Sequence, residues 1–136
     1  MATILVSKLT ADESDALKRF GTLRISVAEF LTRMKRLVEI GTFIVGQREI
    51  EVAAMPREDV VITRDDIRWV AQRYLHGKTS GEELSHWAGL ILAIPSYVLP
   101  SSDTDDDVLG LLTDLALPLK PEYLDRDKLK CRIATI

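Results

Sequence analysis

Between Ile62 and Leu92 the chain reads ITRDDIRWVAQRYLHGKTSGEELSHWAGLIL, and this stretch constrains the fold more than any other. Thr63 offers a hydroxyl acceptor at a helix start, and Asp66 places a carboxylate on the orphan amides of the first turn. Ile67, Val70, Ala71, Tyr74 and Leu75 then recur at the spacing that lines one face of a helix. His76 and Gly77 supply the stop, because glycine takes the left-handed conformation that helix ends commonly need. Ser80 with Glu83 is a capping-box pattern, and Leu84, Trp87, Ala88 and Ile91 repeat the stripe until Pro95 closes it. Two helices joined by a tight turn, packed as roughly antiparallel neighbours, are expected over residues 63–94.

Trp69 falls outside that pattern. It lies nearly opposite the apolar stripe, beside Gln72, Arg73 and His76. Either another element covers that side of the helix or an aromatic anchor faces solvent, where it would suit a binding partner.

The remaining segments supply further caps and stripes. Ala2–Val6 suggests a short strand or an apolar lead-in. Thr10 with Glu13 is a capping box, and Ala16, Leu17 and Phe20 give a short face ending at Gly21. Ser26 with Glu29 starts a second helix, whose stripe of Val27, Phe30, Leu31, Met34, Leu37 and Val38 is expected to end at Gly41, giving a helical pair over residues 10–40. At an offset of 54, Arg19-Phe20, Ser26 and Glu29 lie over Arg73-Tyr74, Ser80 and Glu83. A duplicated helical pair would leave such a match, and so would two pairs capped independently.

Thr42–Val52 alternates at its end around a turn signal at Gly46-Gln47, which favours a β-hairpin. Ala53–Ile62, with Pro56, reads as a connector, completing the 42–62 segment. After Pro95, SYVLPSSDTDDD reads as a loop. Thr104 then caps a leucine-rich helix with Asp105, Asp106 and Asp107 in its first turn and Val108, Leu111, Leu112 and Leu115 as its buried stripe. Lys128–Ile136 is either an edge strand or a last short helix capped by Asp125, closing the 103–136 region.

One domain is the right size for 136 residues. With 18 basic and 21 acidic side chains and a formal charge of −3, the chain offers no extended phosphate-binding surface, so no nucleic-acid partner is expected, although a local basic patch stays open. The single cysteine, Cys131, excludes an internal disulfide framework and suits a reducing compartment. No secretory signal is read in MATILVSKLTADE, and no window approaches the roughly 20 apolar residues of a membrane span. A soluble cytoplasmic protein without a membrane partner is expected.

Chemistry-bearing groups are sparse. His76 and His86 are the only histidines; both fall off their apolar stripes and are expected to be exposed, with no spacing that marks a metal site. Nothing in KCRIA activates the thiol, and the glycines match neither a dinucleotide fingerprint nor a phosphate loop. No metal, cofactor or catalytic residue is expected; an enzyme would need a deep pocket gathering His86, Cys131 and a carboxylate. Asp105–Asp107 form an anionic knob that could attract a basic partner, although the helix dipole alone accounts for acids there. Arg33, Lys35 and Arg36 likewise suit a helix C-terminus.

Asp65, Asp66, Tyr74, Leu75, Gly77, Ser80, Glu83, Leu84, Trp87 and Ala88, followed by the leucine-rich helix Val108–Leu117, form a pattern that resembles small bacterial proteins of the polymorphic-toxin immunity type. The resemblance covers about two fifths of the chain and excludes residues 1–55. It implies a non-catalytic protein that binds and neutralises a toxin domain. The expectation is thus a mainly α-helical single domain of helical hairpins with minor β structure, acting as a protein-binding module through Trp69, Arg73, His76 and Asp105–Asp107. A homo-oligomer in which Trp69 is buried against a second copy is the alternative.

Overall fold

Helix caps decide where this chain turns. The computed structural model describes residues 9–44, 47–52, 58–100, 106–116 and 126–135. Thr10 opens α1 (Ala11–Phe20) with a complete capping box: its hydroxyl accepts from the Glu13 amide, and the Glu13 carboxylate accepts from the Thr10 amide. Thr63 opens α3 (Arg64–Leu75) with the same reciprocal pair to Asp66. Ser26 and Ser80 cap α2 (Val27–Arg33) and α4 (Gly81–Ala93) through their hydroxyls. Further along, α5 (Asp106–Ala116) and α6 (Arg126–Thr135) complete a mainly helical, single-domain fold. The helical choice for the tail follows from Leu129 and Ile133, both buried and one turn apart.

At Ser80 the box is incomplete because Glu83 has another task. Its carboxylate accepts from the Val27 amide at 3.0 Å, so a residue of α4 satisfies the first turn of α2. The two hairpins are bonded to each other where each begins its second helix.

Their turns also match. Leu23 and Arg24 donate to the Phe20 and Arg19 carbonyls, and Gly77 and Lys78 donate to the Tyr74 and Arg73 carbonyls, the paired hydrogen bonds of a Schellman motif at the same offset of 54. Gly77 adopts the expected positive φ of 73°. In the first turn the left-handed residue is Leu23, at φ 54°, and not Gly21, which is right-handed at φ −54°. Gly21 is needed for space instead: a Cβ there would stand 2.9 Å from the Ile62 side chain.

The strands depart from the sequence expectation in two places. The helix expected to run to Gly41 ends at Arg33, and Val38 begins a strand. Leu37 and Val38 both donate to the Met34 carbonyl, which tightens the exit, and the β-branched run that follows pairs in an antiparallel hairpin. There β1 (Val38–Ile44) faces β2 (Gln47–Val52) with Val38 opposite Val52 and Ile40 opposite Ile50. The hairpin expected at Thr42–Val52 is therefore present and longer, while Gly46 lies outside the described residues. The connector and the loop after Pro95 contain a second pair, β3 (Val60–Val61) parallel to β4 (Tyr97–Val98), with Val60 and Ile62 donating to the Ser96 and Val98 carbonyls. Two-residue strands carry too little periodicity to be read from sequence. Ala2–Val6, Pro56, Thr104 and Asp125 lie outside the described residues.

The core gathers around α4, whose Leu84, Trp87, Ala88, Leu90 and Ile91 are all buried. Apolar residues on most of its circumference fit a helix covered by α2, α3, α5 and β2. Gly89 lets Ile50 of β2 approach, since a Cβ there would lie 3.2 Å from the isoleucine methyl. Phe20 stacks on Phe30 with centroids 4.0 Å apart, closing the first hairpin. Buried polar groups then fix the end of α1: Trp87 Nε1 donates to the Phe20 carbonyl at 3.0 Å, and the Tyr97 hydroxyl donates to the Leu17 carbonyl at 2.7 Å. Burial raises the Tyr97 pKa far above the ordinary phenol range, so the hydroxyl keeps its proton.

Glu13 is the buried acid, 3% exposed, and Arg36 grips it bidentately with both nitrogens 2.7 Å from the carboxylate oxygens. That contact, together with the Thr10 amide, holds its pKa below the ordinary glutamate value despite burial. A depressed folded-state pKa stabilises above the unfolded pKa, and the contribution is lost as pH falls through the folded value.

The thermal stability of the wild type should therefore fall as pH drops below the ordinary glutamate range, and Glu13→Gln should flatten that acid limb; parallel acid limbs in the two proteins would contradict it. In urea unfolding, Tyr97→Phe is expected to cost about 1 kcal/mol and Trp87→Ala about 3–5 kcal/mol. Gly77→Ala, with open space around it, should cost about 1 kcal/mol from backbone conformation alone.

Candidate binding surface on helices three and six

Two arginines bring α3 and α6 together in opposite directions. Arg126, at the start of α6, donates to the Leu75 carbonyl at 3.0 Å and lies 4.8 Å over the Tyr74 ring, covering the C-terminus of α3. Arg68, on α3, donates to the Ile133 carbonyl at 3.1 Å near the end of α6 and pairs with Asp65 at 2.7 Å. Leu129 and Ile133 turn inward.

Between the two helices lies an open groove of about 530 Å³ lined by Arg68, Gln72, Leu75, His76, Lys130, Ile133 and Ala134. Leu75 and Ile133 give it an apolar floor. Arg68, His76 and Lys130 give it basic and imidazole groups, and among the described residues no acid lines it. Among the described residues Lys130 is exposed and forms no ion pair, while Arg68 is engaged by Asp65.

Trp69 sits on the adjoining ridge, 40% exposed. Among the described residues it is part-covered and part open to solvent, and the Arg73 guanidinium lies 4.9 Å from its ring centroid. Arg73 Nε is shut off from solvent with no hydrogen-bond acceptor, a donor left without compensation.

Of the residues singled out from the sequence, Trp69, Arg73 and His76 therefore share one side of α3, with His76 exposed at the groove. Asp105 lies outside the described residues, and Asp106 and Asp107 open α5 with side chains that also lie outside them. His86 differs from the expectation: it is half-buried on α4 and engaged by a neighbour, because α4 is enclosed on more sides than one stripe implies. Cys131 is exposed, and neither it nor His86 lines the groove. Among the described residues no group of three His, Cys, Asp or Glu side chains is placed to hold a metal ion. No helix among them is long and apolar enough to cross a membrane.

Sequence reasoning missed Arg68, Leu75 and Lys130 as neighbours of one groove. The signal was present in the tail: taken as a helix, its Leu129 and Ile133 mark a buried face that leaves Lys130 beside it. The chain matches no protein-family model, no curated protein and no solved structure.

Acrylamide should quench part of the tryptophan fluorescence and spare the rest, since Trp87 is fully buried and Trp69 is not. Trp69→Phe should remove the accessible component while changing stability by less than about 0.5 kcal/mol. A uniformly accessible or uniformly protected signal would contradict this arrangement.

Proposed function

We propose that this chain is a non-catalytic cytoplasmic protein-binding module of the inhibitor or immunity type, which docks a toxin domain through the outer side of α3. The observation that carries the reading is Trp69: a large aromatic exposed on a doubly capped helix with the Arg73 guanidinium over its ring. Tryptophan and arginine are enriched among the residues that carry most of the binding energy at protein interfaces. The pattern from Asp65 to Ala88 supports the immunity type in particular. Asp105–Asp107 would meet a basic region of the same partner.

Co-expression tests the reading. The product of the open reading frame next to this gene should arrest growth on its own, and the wild-type chain should restore it by forming a complex. Trp69→Ala should weaken that complex at least about tenfold, the loss typical of a central aromatic anchor. Failure of rescue, or equal affinity for wild type and Trp69→Ala, would refute it. A dimer in light scattering that Trp69→Ala dissolves would assign the ring to a contact between two copies instead.

A further inference from the structure

Resting on that reading, we infer that the groove between α3 and α6 receives an acidic segment of the partner, one carrying carboxylates and an apolar side chain. The chain as a whole is acidic, with a formal charge of −3, yet among the described residues the charged side chains lining this groove are Arg68, paired with Asp65, and Lys130. Arg68, His76 and Lys130 stand around it, Leu75 and Ile133 form its floor, and Ala134 borders it. A cationic rim over an apolar floor fits a peptide that alternates carboxylates with an aliphatic anchor.

The groups differ in availability, which orders their roles. Arg68 already serves Asp65 and the Ile133 carbonyl, so it holds the groove together. Of the cations lining the groove, Lys130 is exposed and forms no ion pair among the described residues, and it supplies charge for an incoming carboxylate. Arg73 stands on the next ridge with a desolvated Nε that lacks an acceptor. An acceptor from a bound segment that reached this donor would join the groove to the aromatic anchor in one footprint.

A nucleic acid fits less well. Phosphate recognition draws its affinity from many cations tracking a backbone, whereas this groove offers few, and its floor is apolar.

The direct test is fluorescence anisotropy with a short labelled peptide of glutamate and leucine, its glutamine counterpart, and labelled single-stranded oligothymidylate, titrated with the full chain. The glutamate peptide should bind, weaken with added salt, and exceed the glutamine peptide by at least about tenfold. Lys130→Glu should abolish that preference while the melting temperature stays at the wild-type value, and Lys130→Arg should retain it. Absence of binding by the glutamate peptide, equal binding of the two peptides, or indifference to Lys130→Glu would overturn the inference, as would oligothymidylate binding more tightly at the same residue. A toxin partner that depends on Trp69 but ignores Lys130→Glu would leave the protein-binding role standing and remove the groove from it.

Discussion

The end of α1 is where the molecule is tied together. The Leu17 and Phe20 carbonyls each accept a backbone amide, from Gly21 and Leu23, and each takes a second donor from a side chain far along the chain, the Tyr97 hydroxyl and the Trp87 indole. Both bonds are buried, so breaking either leaves a desolvated group that water cannot reach. They dictate how the first hairpin sits on α4 and β4 with a directionality that apolar contact lacks. Gly21 then follows as a requirement of space, because the helix end they hold lies against Ile62.

The second tie also runs from α4 to the first hairpin, with the side chain now accepting. Glu83, which a sequence pattern assigns to its own helix start, leaves that start to Ser80 and reaches the first amide of α2. Side chains of the second hairpin thus complete the first hairpin's backbone at two places, the end of α1 and the start of α2. Matching Schellman turns make the contact geometrically natural, since the two hairpins present their ends in the same local form. Leu23 is the point of inequality: it occupies the left-handed position that glycine fills in the second turn and is buried there at 5% exposure, so burial of its side chain offsets its backbone strain.

Legibility in the sequence follows physical range. Caps and stripes are local, so Thr10, Thr63, Ser80, Gly77 and the core residues of α3, α4 and α5 were readable, as was the off-stripe position of Trp69. Interactions between distant segments were not: Glu83 to Val27, Trp87 to Phe20, and the parallel pairing of Val60 with Tyr97 leave no periodic trace. The α2 boundary failed for a different reason. Leu37 and Val38 continue a helical spacing by coincidence, and strand pairing with Val52 overrides it. The groove needed both the fold of the tail and its docking on α3, so its residues appeared separately in the sequence and together only in three dimensions.

The parallel contact between β3 and β4 has a topological consequence. Residues 60–98 leave and re-enter the body of the protein at neighbouring points, stitched by main-chain bonds from Val60 to Ser96 and from Ile62 to Val98. A segment with its entrance and exit side by side is clamped at its base, so the exposed positions of α3 can vary while the buried face of α4 and both attachment points stay fixed. The tryptophan on α3 stands at one of those exposed positions, and its replacement leaves the seam untouched.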